Sequence, residues 1–359
     1  MGLTLVGTAL ITLVIFVWFI VTRRQIESLK NVKKQEEREK RLKLSRTLGY
    51  LKWGLIASFL VVVATGALAL LGNAKEQGIY LEHTHGLGYS SDGKRILIPA
   101  HDGLRVYEDG RWKTPEGEKH DYMGFSPVND GFYSSGHPAQ GSELNNPFGI
   151  VKSTDEGKTI KSLALDGATD FHNMAVGYTS HVIYAINPQP NSKMSSAGLY
   201  YSKDEGNSWT KSEMNGITEE PTAMAVHPTE PSILAIGTPT AVYFSNNYGN
   251  AFEKVTSAGQ ATALFFTNKG ELVIGGYQNN AYLRKMDVAS KELEELKIPE
   301  LEKDAVAFFA QNPSNEKEMA FVTFKNDVYL STDEGSKWAK IADEGKAISN
   351  DDAKANENQ

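Results

Sequence analysis

Ser202-Lys203-Asp204-Glu205-Gly206-Asn207-Ser208-Trp209 decides the fold, because the same frame returns three more times along the chain. Ser153-Thr154-Asp155-Glu156-Gly157-Lys158-Thr159-Ile160, Ser245-Asn246-Asn247-Tyr248-Gly249-Asn250-Ala251-Phe252 and Ser331-Thr332-Asp333-Glu334-Gly335-Ser336-Lys337-Trp338 keep its serine, its Asp or Asn, its glycine and its closing apolar residue. The four starts differ by 49, 43 and 86 residues, and the last interval is twice the second. A faded copy is therefore expected near residue 288, where Asp287-Val-Ala-Ser-Lys291 sits. Another, Glu108-Asp109-Gly110-Arg111-Trp112, lies upstream of the first. Six units of about 40–50 residues match the period of propeller blades.

Each unit opens on a small or apolar strand: Gly86–Tyr89, Tyr122–Phe125, Asn173–Val176, Ala223–Val226, Ala263–Phe266 and Ala307–Ala310. A second apolar strand follows in each, such as Ile96–Ile98 or Val182–Ile186, and then a third, such as Leu104–Tyr107 or Gly198–Ser202. Four short strands per unit without helical periodicity predict an all-β, six-bladed β-propeller over residues 78–342. A seventh blade is the alternative if Gly78–Glu82 belongs elsewhere; otherwise that strand joins the last blade and closes the ring. The repeated frame has a physical reading. Its Asp accepts backbone N–H bonds in a tight turn, its glycine supplies a positive φ, and its Trp packs between blades. Asp155, Gly157, Asp204, Gly206, Trp209, Asn247, Gly249, Asp333, Gly335 and Trp338 are thus expected to be structural. Calcium is the competing role for the acids, but the turn already accounts for them.

This S-x-D-x-G-x-x-W frame resembles the Asp-box, or BNR, repeat. Residues 80–342 are similar to Asp-box propellers: bacterial sialidases, the sortilin domain and photosystem II assembly factors, with bacterial glycosyl-hydrolase-like proteins nearest in context. The resemblance implies the fold and says almost nothing about function. As far as it bears on activity, the likeness to assembly factors and sortilin favours binding over turnover. A sialidase would need an arginine triad, and the propeller holds only Arg95, Arg105, Arg111 and Arg284, none in the Phe/Tyr-Arg-Ile-Pro context of sialidases.

The net charge of -7 conceals a division. Residues 1–77 carry 12 Lys/Arg against 5 Asp/Glu, and the remainder carries 25 against 39. An acidic outer region is no general nucleic-acid binder. Leu3–Thr22 and Trp53–Ala74 hold no charge, and each is long enough to cross a bilayer. Between them lies a loop from Arg23 to Lys52 rich in Lys and Arg, which stays cytoplasmic under the positive-inside rule. The expectation is a helix over 1–22, a basic cytoplasmic loop over 23–52 and a second helix over 53–74. The N-terminus and the propeller then lie outside, anchored in the lipid bilayer of the cell membrane, with a disordered tail over 343–359. A signal peptide is the alternative for the second run, since Gly72-Asn73-Ala74 offers a small-residue cleavage site.

Eight histidines look scattered, yet blade alignment gathers six of them. His85, Asp121 and His172 stand at the entries of the first strands of three successive blades, with His83 and His120 beside them. His101 and His137 end second strands, and strand-one entries and strand-two exits share one face. Asp102 and Asp170 lie in the same sector, whereas His181 and His227 fall on the opposite face. Neutral imidazole with carboxylate is ligand chemistry for Zn²⁺ or Cu²⁺. Without a single cysteine, any such ion must be held by His and carboxylate. The competing reading is that these residues only cap loops by hydrogen bonds. His85, Asp121 and His172 are expected to face the channel, and His101, His120 and His137 to sit at its rim. The expected function is a membrane-anchored binding or assembly module that docks a protein or small ligand on the histidine face. A metal-dependent hydrolase or oxidoreductase using the same pocket, with Asp121 as base, is the alternative.

Overall fold

In the computed structural model, residues 2–30, 34–72, 78–257 and 259–348 are described. The chain divides into two compact units, Met1–Gln77 and Gly78–Gln359. The first is a pair of helices, α1 (Gly2–Ser28) and α2 (Gln35–Gly72), which pack against each other. Thr22 and Leu51 are buried between them, and Gly54 faces the Ile15 side chain. Outward stand Leu13, Val14, Phe16, Val17 and Trp18 from α1, and Trp53, Phe59, Leu60 and Val63 from α2, all exposed. Among the described residues, one stretch, Gln35–Val63, is long and apolar enough to cross a membrane; membrane spans and signal sequences share that property. Helix α2 runs well into the basic segment, so residues 35–52 are helical rather than loop. The cleavage site after Ala74 and the tail from residue 349 lie outside the described residues.

The second unit is a six-bladed β-propeller. Its six antiparallel sheets take the strands strictly in chain order. Blade one spans Gly88–Lys113, blade two Asp121–Ala164, blade three Met174–Lys211, blade four Ala223–Thr256, blade five Gln260–Leu296 and blade six Val306–Ala347. Each sheet is covered on both faces by its neighbours, so successive side chains of a second strand point into different cores. In Ile96–Ala100, Ile96 and Ile98 pack toward blade six while Leu97 packs toward blade two. Six separate clusters fill the six spaces between blades, which is why second strands read as continuous apolar runs rather than alternating ones.

Closure of the ring uses the chain's own beginning. Blade six carries a fifth strand, Lys346–Ala347, that pairs with Ala342–Asp343 and extends past the expected boundary at 342. Tyr80 bridges Lys346, Leu81 N–H donates to Gly345 C=O (2.7 Å), and Ala347 N–H donates to Ile79 C=O (2.9 Å). The Gly78–Glu82 segment therefore joins the last blade, and no seventh blade forms among the described residues. Trp112 adds a side-chain clasp from blade one, its Nε1–H donating to Ile341 C=O at 2.8 Å.

The four repeated frames fold into one turn between the third and fourth strands of blades two, three, four and six. In blade three, Ser202 Oγ accepts the Gly206 N–H (2.8 Å) and donates to Asp204 Oδ1 (2.8 Å). Asp204 then accepts the Ser208 N–H (2.8 Å) and hydroxyl (2.6 Å). Asp155, Asn247 and Asp333 repeat the Ser-to-Asx bond and the acceptance of the N–H four residues on. Glu205 and Gly206 take φ of 55° and 83°, and the other three turns do the same at Glu156–Gly157, Tyr248–Gly249 and Glu334–Gly335. The Asp155 and Asp204 carboxylates each accept a backbone N–H and a hydroxyl from the residue four positions on. The faded copies also make turns: Asp287 Oδ1 accepts the Ala289 and Ser290 N–H groups, and Asp109–Gly110 has positive φ.

Candidate functional site

The first strands of all six blades line a central channel of about 240 Å³. They converge closely: a Cβ on Gly88 would fall 1.9 Å from Pro127 Cγ. Small residues such as Ala175, Ala223, Ala263 and Ala307 keep the bore open, with Phe125, Phe265 and Phe308 on its wall. His85 and His172 both line it, and His85 stands at the entry to the blade-one strand, so they mark the mouth.

Backbone bonds fix the mouth of blade one. His85 N–H donates to Pro99 C=O and His101 N–H to Glu82 C=O, both at 2.9 Å, which lays the entry segment along the end of the second strand. The Thr84 hydroxyl donates to Asn326 Oδ1 at 2.9 Å and ties the same segment to blade six. Asp121 begins the first strand of blade two, opposite His137 in the register. That pair needs Gly136, at φ +129°, because a Cβ there would meet the Asp121 carbonyl oxygen at 2.1 Å.

Three side chains meet at this corner. Asp121, only 7 % exposed, has Oδ2 2.7 Å from His101 Nδ1 and Oδ1 3.3 Å from His85 Nε2. The second contact is not an aligned hydrogen bond, so His85 Nε2 and Asp121 Oδ1 are both buried without a hydrogen-bonding partner. Burial pushes the His85 imidazole below its ordinary value against the pull of Asp121, and the nearby His101, His172 and His83 rings add to the lowering. A neutral ring keeps a nitrogen lone pair. Among the described residues, His85, His101 and Asp121 form the one group whose ligand atoms lie within 4.8 Å of one another. Two ligands on a tetrahedral zinc ion stand roughly 3.3 Å apart, given bonds of about 2.0–2.2 Å. The His85–Asp121 separation matches that edge.

The remaining sequence candidates divide. His83 packs edge-on toward His101, ring centroids 6.4 Å apart. His172 and His137 lie against Asp170 rather than Asp121, at 3.0 and 3.4 Å. His120 is turned inward, 3 % exposed, with Nδ1 accepting the Ala139 N–H (3.0 Å) and Nε2 3.3 Å from Glu118. Burial lowers its pKa, and both its nitrogens are engaged in holding the loop. Asp102 pairs with the buried Arg105, which also bonds the Tyr80 carbonyl, so this pair serves ring closure. Arg95 is held by Asp92 and by Glu156 of the blade-two turn. On the opposite face, His181 sits against the Tyr133 hydroxyl (3.2 Å) and Asn129 (2.7 Å), and His227 Nδ1 accepts the Glu230 N–H (3.1 Å). Asn146, 2.7 Å from His137 Nδ1, belongs to the site by position but carries no sequence signal beyond lying in the long loop after Gly136.

No family model matches the chain, and no curated protein matches it. Solved propellers do. A GH74 enzyme of Niastella koreensis is 13% identical with a TM-score of 0.47, over 74% of this chain and 46% of its own, so the chain spans less than half of that enzyme. YCF48 bound to D1 peptide is 14% identical with a TM-score of 0.45, over 73% and 81%. The Cps50 (Swd1) propeller of Myceliophteria thermophila is 12% identical with a TM-score of 0.48, over 76% and 90%. These are similarities of fold alone.

Proposed function

We propose that the protein is a membrane-anchored binding propeller of the Asp-box type, set on the outer side of a membrane. In this reading its channel mouth holds one divalent first-row cation, zinc or copper, on His85, His101 and Asp121. One observation carries the metal: two buried polar atoms, His85 Nε2 and Asp121 Oδ1, converge at 3.3 Å with no hydrogen bond to satisfy either. Buried polar atoms left unpaired are costly, and a cation between them removes the cost for both. Three protein ligands leave a fourth position open toward a docked partner or small ligand.

The anchor reading rests on the apolar side chains that both helices turn outward, and on Trp18, Tyr50 and Trp53, aromatic residues at the boundary with the basic segment. In this reading two spans flank a cytoplasmic basic segment, and the propeller lies outside.

The test is metal analysis of the full-length protein purified in detergent. At least one ion per chain is expected, and the ion at His85, His101 and Asp121 is lost in His85→Ala and in Asp121→Asn while the fold persists. A metal-free protein whose thermal unfolding ignores added zinc and copper overturns the metal reading. Turnover on an ester, glycoside or phosphate panel, abolished by the same substitutions, would make the site an enzyme's.

A further inference from the structure

Asp170 gathers a second set of ligating atoms on the next blade boundary. Its Oδ2 lies 3.0 Å from His172 Nε2 and 3.4 Å from His137 Nε2. The other nitrogen of His137, Nδ1, is 2.7 Å from Asn146 Oδ1. An amide oxygen only accepts, so Nδ1 carries a hydrogen, and Nε2 is the nitrogen turned toward Asp170. Nε2 faces a carboxylate oxygen, which has only lone pairs to offer. A positive charge between the two, a proton or a metal ion, satisfies both. A carbonyl holding Nδ1–H while Nε2 is turned toward other ligand atoms is also how proteins orient metal-bound histidines.

We propose that His137, His172 and Asp170 form a second cation centre, separate from the first, which takes a divalent first-row ion on two imidazoles and one carboxylate. The two centres share no ligand. They flank the first strand pair of blade two, where Asp121 and His137 stand opposite each other. They also differ in readiness. The first group is assembled within 4.8 Å, and the second is not, so its ligands must draw closer together as the ion binds. That rearrangement costs affinity, so the first centre fills before the second.

The experiment titrates the chelator-stripped full-length protein, held in nanodiscs of a neutral phosphatidylcholine, with zinc alone. Two ions per chain are expected, in two phases at least tenfold apart. Asp170→Asn and His172→Gln should each remove the weaker phase and leave the tighter one, whereas Asp121→Asn should remove the tighter phase alone. Asn146→Ala should weaken only the second phase, by about tenfold, the usual size of an outer-partner effect. His172 is exposed, so its variant folds independently of the outcome, and circular dichroism of each variant checks this. A single phase in the unsubstituted protein overturns the proposal. So does a second phase that survives both Asp170→Asn and His172→Gln, since a proton rather than a metal would then lie between His137 and Asp170. Loss of both phases in every variant would mean one shared site. Absence of any binding would also sink the first centre, and loss of the weaker phase alone would not.

Discussion

At the scale of single residues, the repeated turn explains why its serine and glycine return with so little variation. Ser202 Oγ is the hinge of the turn, donating to Asp204 and accepting from a buried Gly206 N–H. Ser202→Ala leaves that N–H unsatisfied and should cost about 1–2 kcal/mol in urea unfolding. Gly206→Ala should cost at least as much, for two reasons. Its φ of 83° is strained for any side chain, and a Cβ would sit 2.7 Å from the Ala164 Cβ of blade two. An unchanged midpoint in both variants would mean that the turn is passive. The candidate ligands follow a different logic. His85 and Asp121 stand out not by sequence context but by two buried atoms, His85 Nε2 and Asp121 Oδ1, that make no hydrogen bond.

At the scale of elements, the closing segment is where the propeller is vulnerable. Blades two to five each keep four strands of one continuous stretch, but blade six is completed by residues 79–81, more than 260 positions away along the chain. Leu81 is fully buried in the core between blades one and six. Leu81→Ala should therefore cost about 2–5 kcal/mol and loosen the ring at that seam, seen as faster amide exchange in Lys346–Ala347 than in the blade-three strands. Uniform exchange across the six blades would contradict it. The helices make their own prediction. Full-length protein should stay in the membrane pellet after alkaline carbonate washing, and external protease should reach the propeller but not the basic segment; release by carbonate would end the anchor reading.

At the scale of the molecule, charge and burial set a pH limit. His181 and His227, on the face away from the histidine cluster, are both held below the ordinary imidazole value, chiefly by burial. A depressed histidine favours the neutral folded form. The unfolded chain takes up protons first as pH falls, so stability is full above about pH 6.5 and declines below it. Asp204 and Asp333 act in the same direction at lower pH: hydrogen bonds within their turns lower their pKa, so their contribution is lost only as pH drops below about 4. Thermal unfolding in chelator should be flat from pH 8 to 7 and fall from pH 6.5 to 5, by roughly 2–4 °C for each kcal/mol lost. A midpoint that rises across that interval would show the sign to be wrong.

The repeat spacing by itself determined a propeller of six blades, with a seventh as the alternative, because a period depends on short-range pattern that any copy reveals. The closure by Gly78–Glu82 was already half legible, as a short apolar stretch with no blade of its own. What only the tertiary structure decided is which histidine meets which carboxylate. His172 and Asp121 hold equivalent strand entries, yet His172 lies against Asp170, and His101, expected at the rim, completes the group with His85. His120, one residue from Asp121, is turned into the core. Strand register places a residue to within one blade position. The direction of its ring is fixed by backbone bonds such as His101 to Glu82 and Thr84 to Asn326, which join segments far apart in the chain. A ligand set is a statement about ångströms, and those contacts are made only once the ring has closed.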